Sequence, residues 1–526
     1  MHFNKFLYAF LLLCPFYLAG QVDNYSAGEQ GQKMDWLLYY LDKNYVDSID
    51  NKYMADVAIR AIVKELDPYS SYQSKEEADK QRENDKGYTG KSAGFNFYMI
   101  RDTAIVTYVN DGGPADLASL VKGDRILKIN GNTAIGASGF NLINDAINLP
   151  EINDFDMSVL RKSGALENVV FEKDNLPLLS VTAGYMLSEN VGYIKLGRFT
   201  LKTMEEFVPT VKYLHSLGMQ KMVLDMRGNY GGVKEQAIKL ADIFLDEGKV
   251  IHRAEGMNFP KDKRMSEAGG IWEKGKLVIL QDEKTASACE IFISAMQEWD
   301  RAIIVGTSTY GKGLIQQSYK LGDGSTIRLT IGRYYTPTGR LLQRTSEDNN
   351  DWMTPYKTEL HANSMTRDLK VPTSMKIKSM NGREILAGPG GIIPDIYYEW
   401  EDNRDYTLLN QLNERGLLYK FATDYTDKNR IQLKQECNTV KAYVDDRIRE
   451  AYMLKDLREY LSKEASNLVI PHNFPETVIW TLKSWVAAQT WHDNAYWEVE
   501  NGDDTLLYRA MEVMDGTLHE ILGVTY

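Results

Sequence analysis

The spacing of apolar residues predicts a helical start to the chain and then a region of short strands. Apolar positions recur at helical spacing between residues 34 and 66, and Asp67-Pro68 ends this helical region. From about Tyr88 the pattern changes to short strands that glycine and asparagine turns separate. The segments 94–98 and 104–109 are typical of a pair of neighbouring strands. The first third of the chain therefore combines helices with a small β-rich unit.

A different pattern follows from about residue 179 to residue 400. Apolar strands such as 221–226 and 276–280 alternate with amphipathic helices such as 233–245 and 287–299. This alternation predicts an α/β core. Beyond Pro394 the chain is mostly helical to its end. We therefore expect a multidomain α+β protein with a mixed sheet in its core.

Composition and charge narrow the function classes. The chain has 526 residues, of which 43% are hydrophobic and 25% charged, as is ordinary for a soluble globular protein of three or four domains. Its net charge of -12 argues against a nucleic-acid partner, because nothing would neutralise the phosphates.

The first twenty residues have the pattern of a secretory signal. Lys5 supplies the basic start, the run 6–18 is apolar, and Ala19-Gly20 provides small residues before the polar Gln21. The run is shorter than the roughly 20 residues that a membrane-spanning helix needs, and no later segment is apolar enough to span. Cys14 does not follow a small residue, which argues against a lipid anchor. We predict an exported protein, periplasmic or extracellular.

The sequence gives little support for a metal site or a bound cofactor. Once a signal is removed, Cys289 and Cys437 are the remaining cysteines, and neither has metal-ligand spacing. The seven histidines form no His-x-x-His or His-x-x-x-His pair. The sequence implies no metal and no cofactor.

The stretch 277–317 carries the first candidate for catalysis. An apolar strand runs into Asp282, and Ser287 then opens a helix. At such a junction the backbone N–H groups and the helix dipole favour negative charge, as a tetrahedral oxyanion requires. A serine here also caps its helix, which by itself is the commoner role.

A lysine between two glycines is the second candidate. Lys312 lies between Gly311 and Gly313, just beyond an apolar strand. Glycines allow a close backbone approach, and a lysine that is removed from water can lose its proton and act as a general base. The alternative is an exposed lysine in a hairpin.

The third candidate is the turn Arg227-Gly228-Asn229-Tyr230-Gly231-Gly232, which follows a strand. The two glycines can direct backbone N–H groups at an anion. A phosphate loop would need Gly-Lys-Ser/Thr after a four-residue spacing, and that pattern is absent here.

Together these motifs resemble the carboxy-terminal processing, or tail-specific, serine peptidases. The resemblance covers roughly residues 34–400. It rests on these segments, in this order: LDPYSSY, GGPADLASLVKGDRILKING, VGYIKLGRF, VLDMRGNYGGVKEQAIKLADIFLDEG, TASACEIF, GTSTYGKGLIQ and YYTPTGR.

The resemblance implies residue roles. Ser287 is the nucleophile, Lys312 the general base, and Gln316 orients the lysine. The oxyanion hole would use the backbone N–H groups of Ala288 and Gly231, with Gly232 as a further donor.

The segment with GGPADLASLVKGDRILKING resembles a circularly permuted PDZ domain. Ala93-Gly94-Phe95 then falls where PDZ domains bind a terminal carboxylate, so protein or peptide tails are the implied partners. The sequence does not indicate an oligomeric state.

Three positions depart from the family pattern. Cys289 stands where serine is common, and Gly228-Asn229-Tyr230 stands where Asn-Asn-Pro or similar is usual. Glu298 stands where some members have aspartate, and we interpret it as surface charge.

The resulting hypothesis is an exported serine endopeptidase that binds its substrates by their carboxy-terminal tails. Two alternatives remain: a catalytically inactive scaffold on the same fold, and a protein that binds apolar ligands. The predicted organisation is a signal peptide (1–20), a helical N-terminal region (21–87), a PDZ domain (88–178), a serine peptidase core (179–400) and a helical C-terminal domain (401–526).

Overall fold

The structure is a computed structural model that describes residues 27–344, 354–365, 370–399 and 404–516, together with residues 520, 522 and 524. The predicted secretory signal lies outside these described residues. None of the helices in the described ranges is long and apolar enough to cross a membrane. The chain divides into two compact units, the first ending at Tyr72 and the second beginning at Gln73.

The first unit is helical, as the apolar spacing predicted. Helices α1 (Ala27–Asn44) and α2 (Asn51–Lys64) precede a short strand, β1 (Ser71–Gln73). Helix α2 begins at a side-chain cap, since Asp50 accepts a hydrogen bond from the Tyr53 N–H at 3.0 Å.

The second unit opens with one helix and a β-rich subunit. Its elements are α3 (Lys75–Lys86), β2 (Tyr88–Ser92), β3 (Phe95–Ile100), β4 (Thr103–Val109), α4 (Pro114–Leu117), β5 (Arg125–Ile129), β6 (Asn132–Thr133), α5 (Gly136–Asn148), β7 (Asp154–Leu160), β8 (Leu166–Glu172) and β9 (Asp174–Pro177).

An antiparallel sheet organises this subunit. Its strand order is β3-β4-β5-β7-β8, with β6 paired to β5, so β3 is an edge strand. Phe155 and Phe171 stack with ring centroids 4.9 Å apart, and Phe95 packs edge-on against both. Strands 94–98 and 104–109 were predicted to pair, and β3 and β4 do so.

The α/β region follows, and its elements alternate as predicted. They are β10 (Val181–Met186), β11 (Val191–Leu196), α6 (Thr203–Ser216), β12 (Lys221–Asp225), α7 (Lys234–Phe244), β13 (Val250–Glu255), β14 (Asp262–Met265), β15 (Lys276–Gln281), α8 (Ala288–Glu298), β16 (Ile303–Gly306), β17 (Leu314–Lys320), β18 (Thr326–Tyr335), α9 (Thr354–Asn363), β19 (Lys376–Lys378), β20 (Glu384–Leu386) and β21 (Ile396–Tyr397).

The central sheet is mixed. Its order is β10-β11-β12-β15-β16-β21, and all neighbours are parallel except β10, which is antiparallel to β11. Its inner strands are apolar on both faces, as expected where helices cover both sides. On β12, Met222 and Leu224 point into the core that α6, α7 and α8 share, and Val223 points to the opposite face.

Between residues 404 and 516 the C-terminal region forms these α-helices: α10 (Thr407–Glu414), α11 (Leu417–Glu436), α12 (Val440–Asp445), α13 (Arg447–Glu464), α14 (Glu476–Thr490), α15 (Asn494–Glu500) and α16 (Thr505–Asp515). Residues of α10 to α15 share one apolar core. Helix α16 does not belong to it. Leu506, Ala510 and Val513 of α16 instead pack against Val223 and Val278 of the central sheet. Helix α16, which belongs to the region predicted as a separate domain, thus completes the core of the α/β region.

Glu298 corrects one interpretation from the sequence. It is fully buried, not a surface charge. Its carboxylate accepts a hydrogen bond from the Thr338 N–H at 2.8 Å and pairs with Arg340 at 3.3 Å. The reason is that all eleven residues of α8 are buried, because this helix is packed on every side.

Candidate active site

Three loops meet at the carboxyl edge of the parallel strands. Residues 226–232 follow β12, residues 282–287 follow β15, and residues 307–313 follow β16. This edge is where open α/β sheets place their binding sites. The Ala286 N–H donates to the Asn229 carbonyl at 3.0 Å, and the Tyr310 N–H donates to the Thr285 carbonyl at 3.0 Å. All three stretches that the sequence singled out therefore come together.

Ser287 has a strained backbone. It lies at the N-cap of α8 with φ 59° and ψ −113°. An ordinary cap residue has extended dihedrals, so capping alone does not account for this conformation. A non-glycine residue in such a region costs about 1–3 kcal/mol and persists only where surrounding contacts enforce it. Strain of this kind clusters at active sites, which favours a functional role for Ser287.

A buried carboxylate supplies the contacts that enforce the strain. Glu290, one turn into α8, accepts hydrogen bonds through both of its oxygens. Its Oε2 accepts from the Ser287 N–H at 2.8 Å and from the Lys312 N–H at 2.8 Å. Its Oε1 accepts from the Thr309 hydroxyl at 2.6 Å and from the Gly311 N–H at 2.7 Å. One oxygen thus holds the backbones of Ser287 and Lys312 next to each other.

Burying Glu290 as an ionised carboxylate costs folding free energy, which supports a functional reason for having a carboxylate at this position. Burial raises the pKa of Glu290, although its four hydrogen-bond donors act in the opposite direction. A carboxyl whose pKa is raised on folding favours the folded state only while it is protonated. That contribution is present below the unfolded pKa of about 4.3 and is lost as the pH rises through the raised value. The ionised form of this buried carboxyl group therefore costs stability, and its hydrogen bonds offset part of that cost.

The sequence analysis did not identify Glu290. The sequence does contain a signal for it: Glu290 lies three positions after the helix-opening Ser287, which is the spacing of a capping box. The donors on residues 309–312 could not be inferred from that spacing, because they come from a different loop.

The loop after β12 is tied by side chains to the loop that leads to Ser287. Asp282 accepts hydrogen bonds from the Gly228 N–H at 3.0 Å and from the Thr285 N–H at 2.9 Å. Asn229 donates to the Leu196 carbonyl at 2.8 Å. These bonds fix the glycine turn in place beside Ser287.

Only glycine fits at position 231. Gly231 has φ 93°, and a Cβ there would lie 2.7 Å from the Ala286 carbonyl oxygen and 3.0 Å from the Ser287 Cβ. The Gly231 N–H donates to the Asn229 side-chain oxygen at 2.9 Å, so within this structure it is engaged in its own loop. The Ala288 N–H lies at the first position of α8, where the helix offers no acceptor.

A buried ion pair supports the start of this loop. Burial by itself would raise the pKa of Asp225, but Arg227 and Lys195 outweigh it and hold that pKa far below its usual range. The Arg227 guanidinium contacts Asp225 at 2.6 Å and Asp504 at 2.6 Å. Asp504 caps α16, so the C-terminal region reaches the start of the loop 226–232. The sequence analysis did not identify this link.

The other predicted residues lie close by. Lys312 is half-buried in the loop before β17. Gln316 lies on β17, directly after a break in the pairing register between Ile315 and itself. Gly232, with φ 138°, approaches the Phe199 carbonyl so closely that a Cβ would clash with it.

The Ala93-Gly94-Phe95 segment lies in the β-rich subunit, apart from these loops. All three residues are buried, and Gly94 has φ 78° immediately before edge strand β3. A Cβ at Gly94 would lie 2.9 Å from Leu176.

Neither the Cys289 thiol nor the buried His252 ring is suited to act as a nucleophile or a base. Burial raises the pKa of Cys289 well above its ordinary value, and its thiol donates to the Asn229 carbonyl at 3.2 Å. It therefore remains a protonated, inaccessible group. Burial lowers the pKa of His252 to about 4, so this ring stays neutral. Within the described part of the chain, no three His, Cys, Asp or Glu side chains are grouped as a metal ion would require.

Replacing Glu290 with glutamine should lower kcat/KM by about 100-fold or more, because small displacements of reacting groups have effects of that size. An amide has one acceptor atom, so two of the four donors would face its NH₂ group. Peptide hydrolysis by the purified variant measures this effect.

Glu298→Gln is the matched control, since it changes a second fully buried carboxylate on the same helix. It should lower the melting temperature but leave kcat close to that of the parent. Equal activity of Glu290→Gln and the parent would contradict the positioning role of Glu290.

Comparisons with known proteins agree with the motifs. Residues 190–349 match the sequence model of Peptidase family S41. Over 314 residues the chain is 30% identical to a probable CtpA-like serine protease of Staphylococcus aureus (strain COL), and this alignment covers 59% of the chain and 62% of the relative. It thus spans less than two thirds of that relative's length.

A second relative is the carboxy-terminal processing protease CtpA of Bacillus subtilis (strain 168). It is 27% identical over 333 residues, which cover 62% of this chain and 70% of the relative. The solved structure of a photosystem II D1 C-terminal processing protease aligns at 20% identity with a TM-score of 0.37, covering 70% of this chain and 86% of that chain. The resemblance to carboxy-terminal processing peptidases that the motifs indicated is confirmed.

Proposed function

We propose, on the premise that this chain carries a Peptidase family S41 segment, that it is a serine endopeptidase with Ser287 as nucleophile and Lys312 as general base. One observation carries the proposal. The strained Ser287 and the backbone of Lys312 donate to the same Glu290 oxygen, each at 2.8 Å. An inactive scaffold would have no need to keep this strain together with a buried carboxylate.

The chemical steps follow from these positions. The neutral Lys312 amine removes the proton from the Ser287 hydroxyl, and Oγ attacks the carbonyl carbon of the scissile peptide bond. The tetrahedral oxyanion lies at the start of α8, where the Ala288 N–H and the helix dipole favour negative charge. The Lys312 ammonium then gives its proton to the leaving amine, and an acyl group remains on Ser287. Water, deprotonated by Lys312, hydrolyses that ester and restores both groups.

The remaining assignments support this cycle. Gln316 orients the lysine, and Gly231 and Gly232 are further candidates for donors to the oxyanion. For Gly231 this role requires its N–H to leave or share the Asn229 oxygen to which it now donates. No metal ion or cofactor takes part in the proposed cycle.

We further propose that the β-rich subunit is a PDZ domain that selects substrates by their carboxy-terminal tails. Strand β3 is at the edge of its sheet, and the Gly94 turn precedes it. An edge strand offers unpaired N–H and C=O groups to an incoming peptide, and a preceding turn can hold the terminal carboxylate. The basic start and apolar run of residues 1–20 place the activity outside the cytoplasm in this proposal.

Blocking the carboxylate of a substrate tests the proposal. We expect a peptide with an amidated C-terminus to be cleaved about 10-fold more slowly, in kcat/KM at low substrate, than the same peptide with a free acid. The cause is the loss of a charge-assisted bond to the Gly94 turn. Hydrolysis of the two peptides, followed by mass spectrometry, gives both the rates and the cleavage positions. Equal rates would remove the β-rich subunit from substrate selection, and no cleavage of either peptide would contradict the peptidase itself.

A further inference from the structure

A cavity of about 940 Å³ lies between the β-rich subunit and the C-terminal helices. One wall is formed by β3 and α5, through residues such as Phe97, Phe140 and Asn144. The opposite wall is formed by α10, α11, α14 and α15. The volume falls within the range of ligand pockets, which usually measure about 300–1,000 Å³.

The two walls are held in a defined arrangement. The Tyr419 hydroxyl of α11 donates to the Thr107 carbonyl of β4 at 3.1 Å, and its ring lies 5.6 Å from that of Tyr98. Arg125 of β5 pairs with Asp427 of α11 at 2.6 Å. These contacts hold the two walls together, so the cavity is a defined feature of the fold.

We propose that this cavity extends the binding site for a substrate tail beyond the Gly94 turn, and that the C-terminal helices select tails ending in uncharged aromatic or large aliphatic side chains. The inference rests on the proposed tail recognition and adds to it a second wall outside the PDZ subunit. The occupant is an extended carboxy-terminal segment that pairs with the free edge of β3.

The lining explains the selectivity. Eight of the seventeen lining residues are aromatic, and Glu500 is the only one with a carboxylate or a cationic group. Within the C-terminal wall, Tyr419, Trp485 and Tyr496 form a continuous aromatic surface, with ring centroids 4.6 Å and 5.1 Å apart. Half-buried aromatic rings stabilise apolar and aromatic partners. An acidic tail side chain would meet the Glu500 carboxylate, and Arg404, the cation that interacts with Glu500, does not line the cavity.

The strand geometry points to the same occupant. Among the described residues, β3 pairs with β4 alone, so its outer edge faces the cavity side where α5 lies. A peptide added there places alternate side chains toward opposite sides, and one set would reach the helical wall. Leu522 and Val524 are buried against the central sheet, so this segment of the chain is not the occupant.

Binding is measured with the full chain carrying Ser287→Ala, so that no peptide is cleaved. Fluorescent ten-residue peptides share one sequence and end in Phe, Leu, Asp or Lys, and anisotropy gives their dissociation constants. We expect Phe and Leu tails to bind at least 10-fold more tightly than Asp tails. In this background Trp485→Ala should weaken the Phe tail about 10-fold. Trp480→Ala, on the same helix but outside the cavity, should not.

A gain-of-function variant tests the helical wall without removing packed side chains. Asn413 is exposed and lines the cavity, and Asn410 is exposed on the same helix but does not line it. Asn413→Lys should tighten binding of the Asp tail about 10-fold, and Asn410→Lys should leave it unchanged.

Unchanged binding in both Trp485→Ala and Asn413→Lys, or equal binding of all four tails, would overturn the inference. These outcomes are separable from the catalytic proposal. Tail binding with this selectivity, but no hydrolysis by the unmodified chain, would support the cavity and contradict the peptidase. Hydrolysis without tail selectivity would do the reverse.

Discussion

Ser287→Ala is expected to lower kcat by about 10⁴-fold or more, as loss of the catalytic serine does in serine peptidases. The reason is that no other nucleophile lies in its place: the adjacent Cys289 thiol is fully buried and its pKa is raised by burial. Turnover of a tail-bearing fluorogenic peptide measures the loss, and circular dichroism verifies the fold. Full activity of a pure, folded variant would contradict the assignment.

Two companion variants separate catalysis from structure. Ser294 is a second serine of α8, buried, with its hydroxyl donating to the Ile291 carbonyl at 3.0 Å. Ser294→Ala should remain active. Ser287→Gly should be as inactive as Ser287→Ala but more stable by about 1–3 kcal/mol, because glycine adopts φ 59° without strain. A lower melting temperature for Ser287→Gly than for Ser287→Ala would argue against stored strain.

Lys312→Arg should lower kcat by about 10²–10⁴-fold although it keeps the positive charge. A general base must be able to give up its proton, and a guanidinium does not do so in proteins. Lys320→Arg, at the exposed end of strand β17, which follows the loop that carries Lys312, is the control and should be active. Near-full activity of Lys312→Arg would exclude a lysine base.

The pH dependence of the activity and the replacement of single histidines are further tests of the lysine base. Activity should rise toward neutral and alkaline pH, since the base works only when deprotonated. His252 cannot produce such a rise, because burial lowers its pKa to about 4 and it is already neutral throughout that range. Single replacement of each of the seven histidines should leave turnover largely intact. One histidine that proved indispensable for the chemical step would replace the dyad by a Ser-His mechanism.

Most helices and strands could be predicted because their patterns are local. The continuous apolar run at β15 and the helical spacing in α7 depend on neighbours within a few residues. The turn glycines 231 and 232 carried a similarly local signal, since positive φ restricts the choice of residue. Ser287 and Lys312 were predicted as candidates from their place after the ends of strands, together with the family resemblance.

Contacts between distant parts of the chain were decided by tertiary structure. Nothing near Glu290 in the sequence shows that its carboxylate accepts from the loop that carries Lys312, or that Glu298 is buried instead of exposed. The pairing of Arg227 with Asp504 joins residues 277 positions apart.

The C-terminal helices show the same difference between what local sequence patterns predict and what contacts between distant residues decide. Their helical periodicity was visible in the sequence, but their positions were not. Helix α16 covers a face of the central sheet, and α11 and α14 face the edge strand of the β-rich subunit. The sequence by itself determined which segments become helices and strands and which residues are candidates for catalysis. Only the packed structure decided which of them meet, because a helix of a given periodicity can bury its apolar face against any complementary surface of the fold.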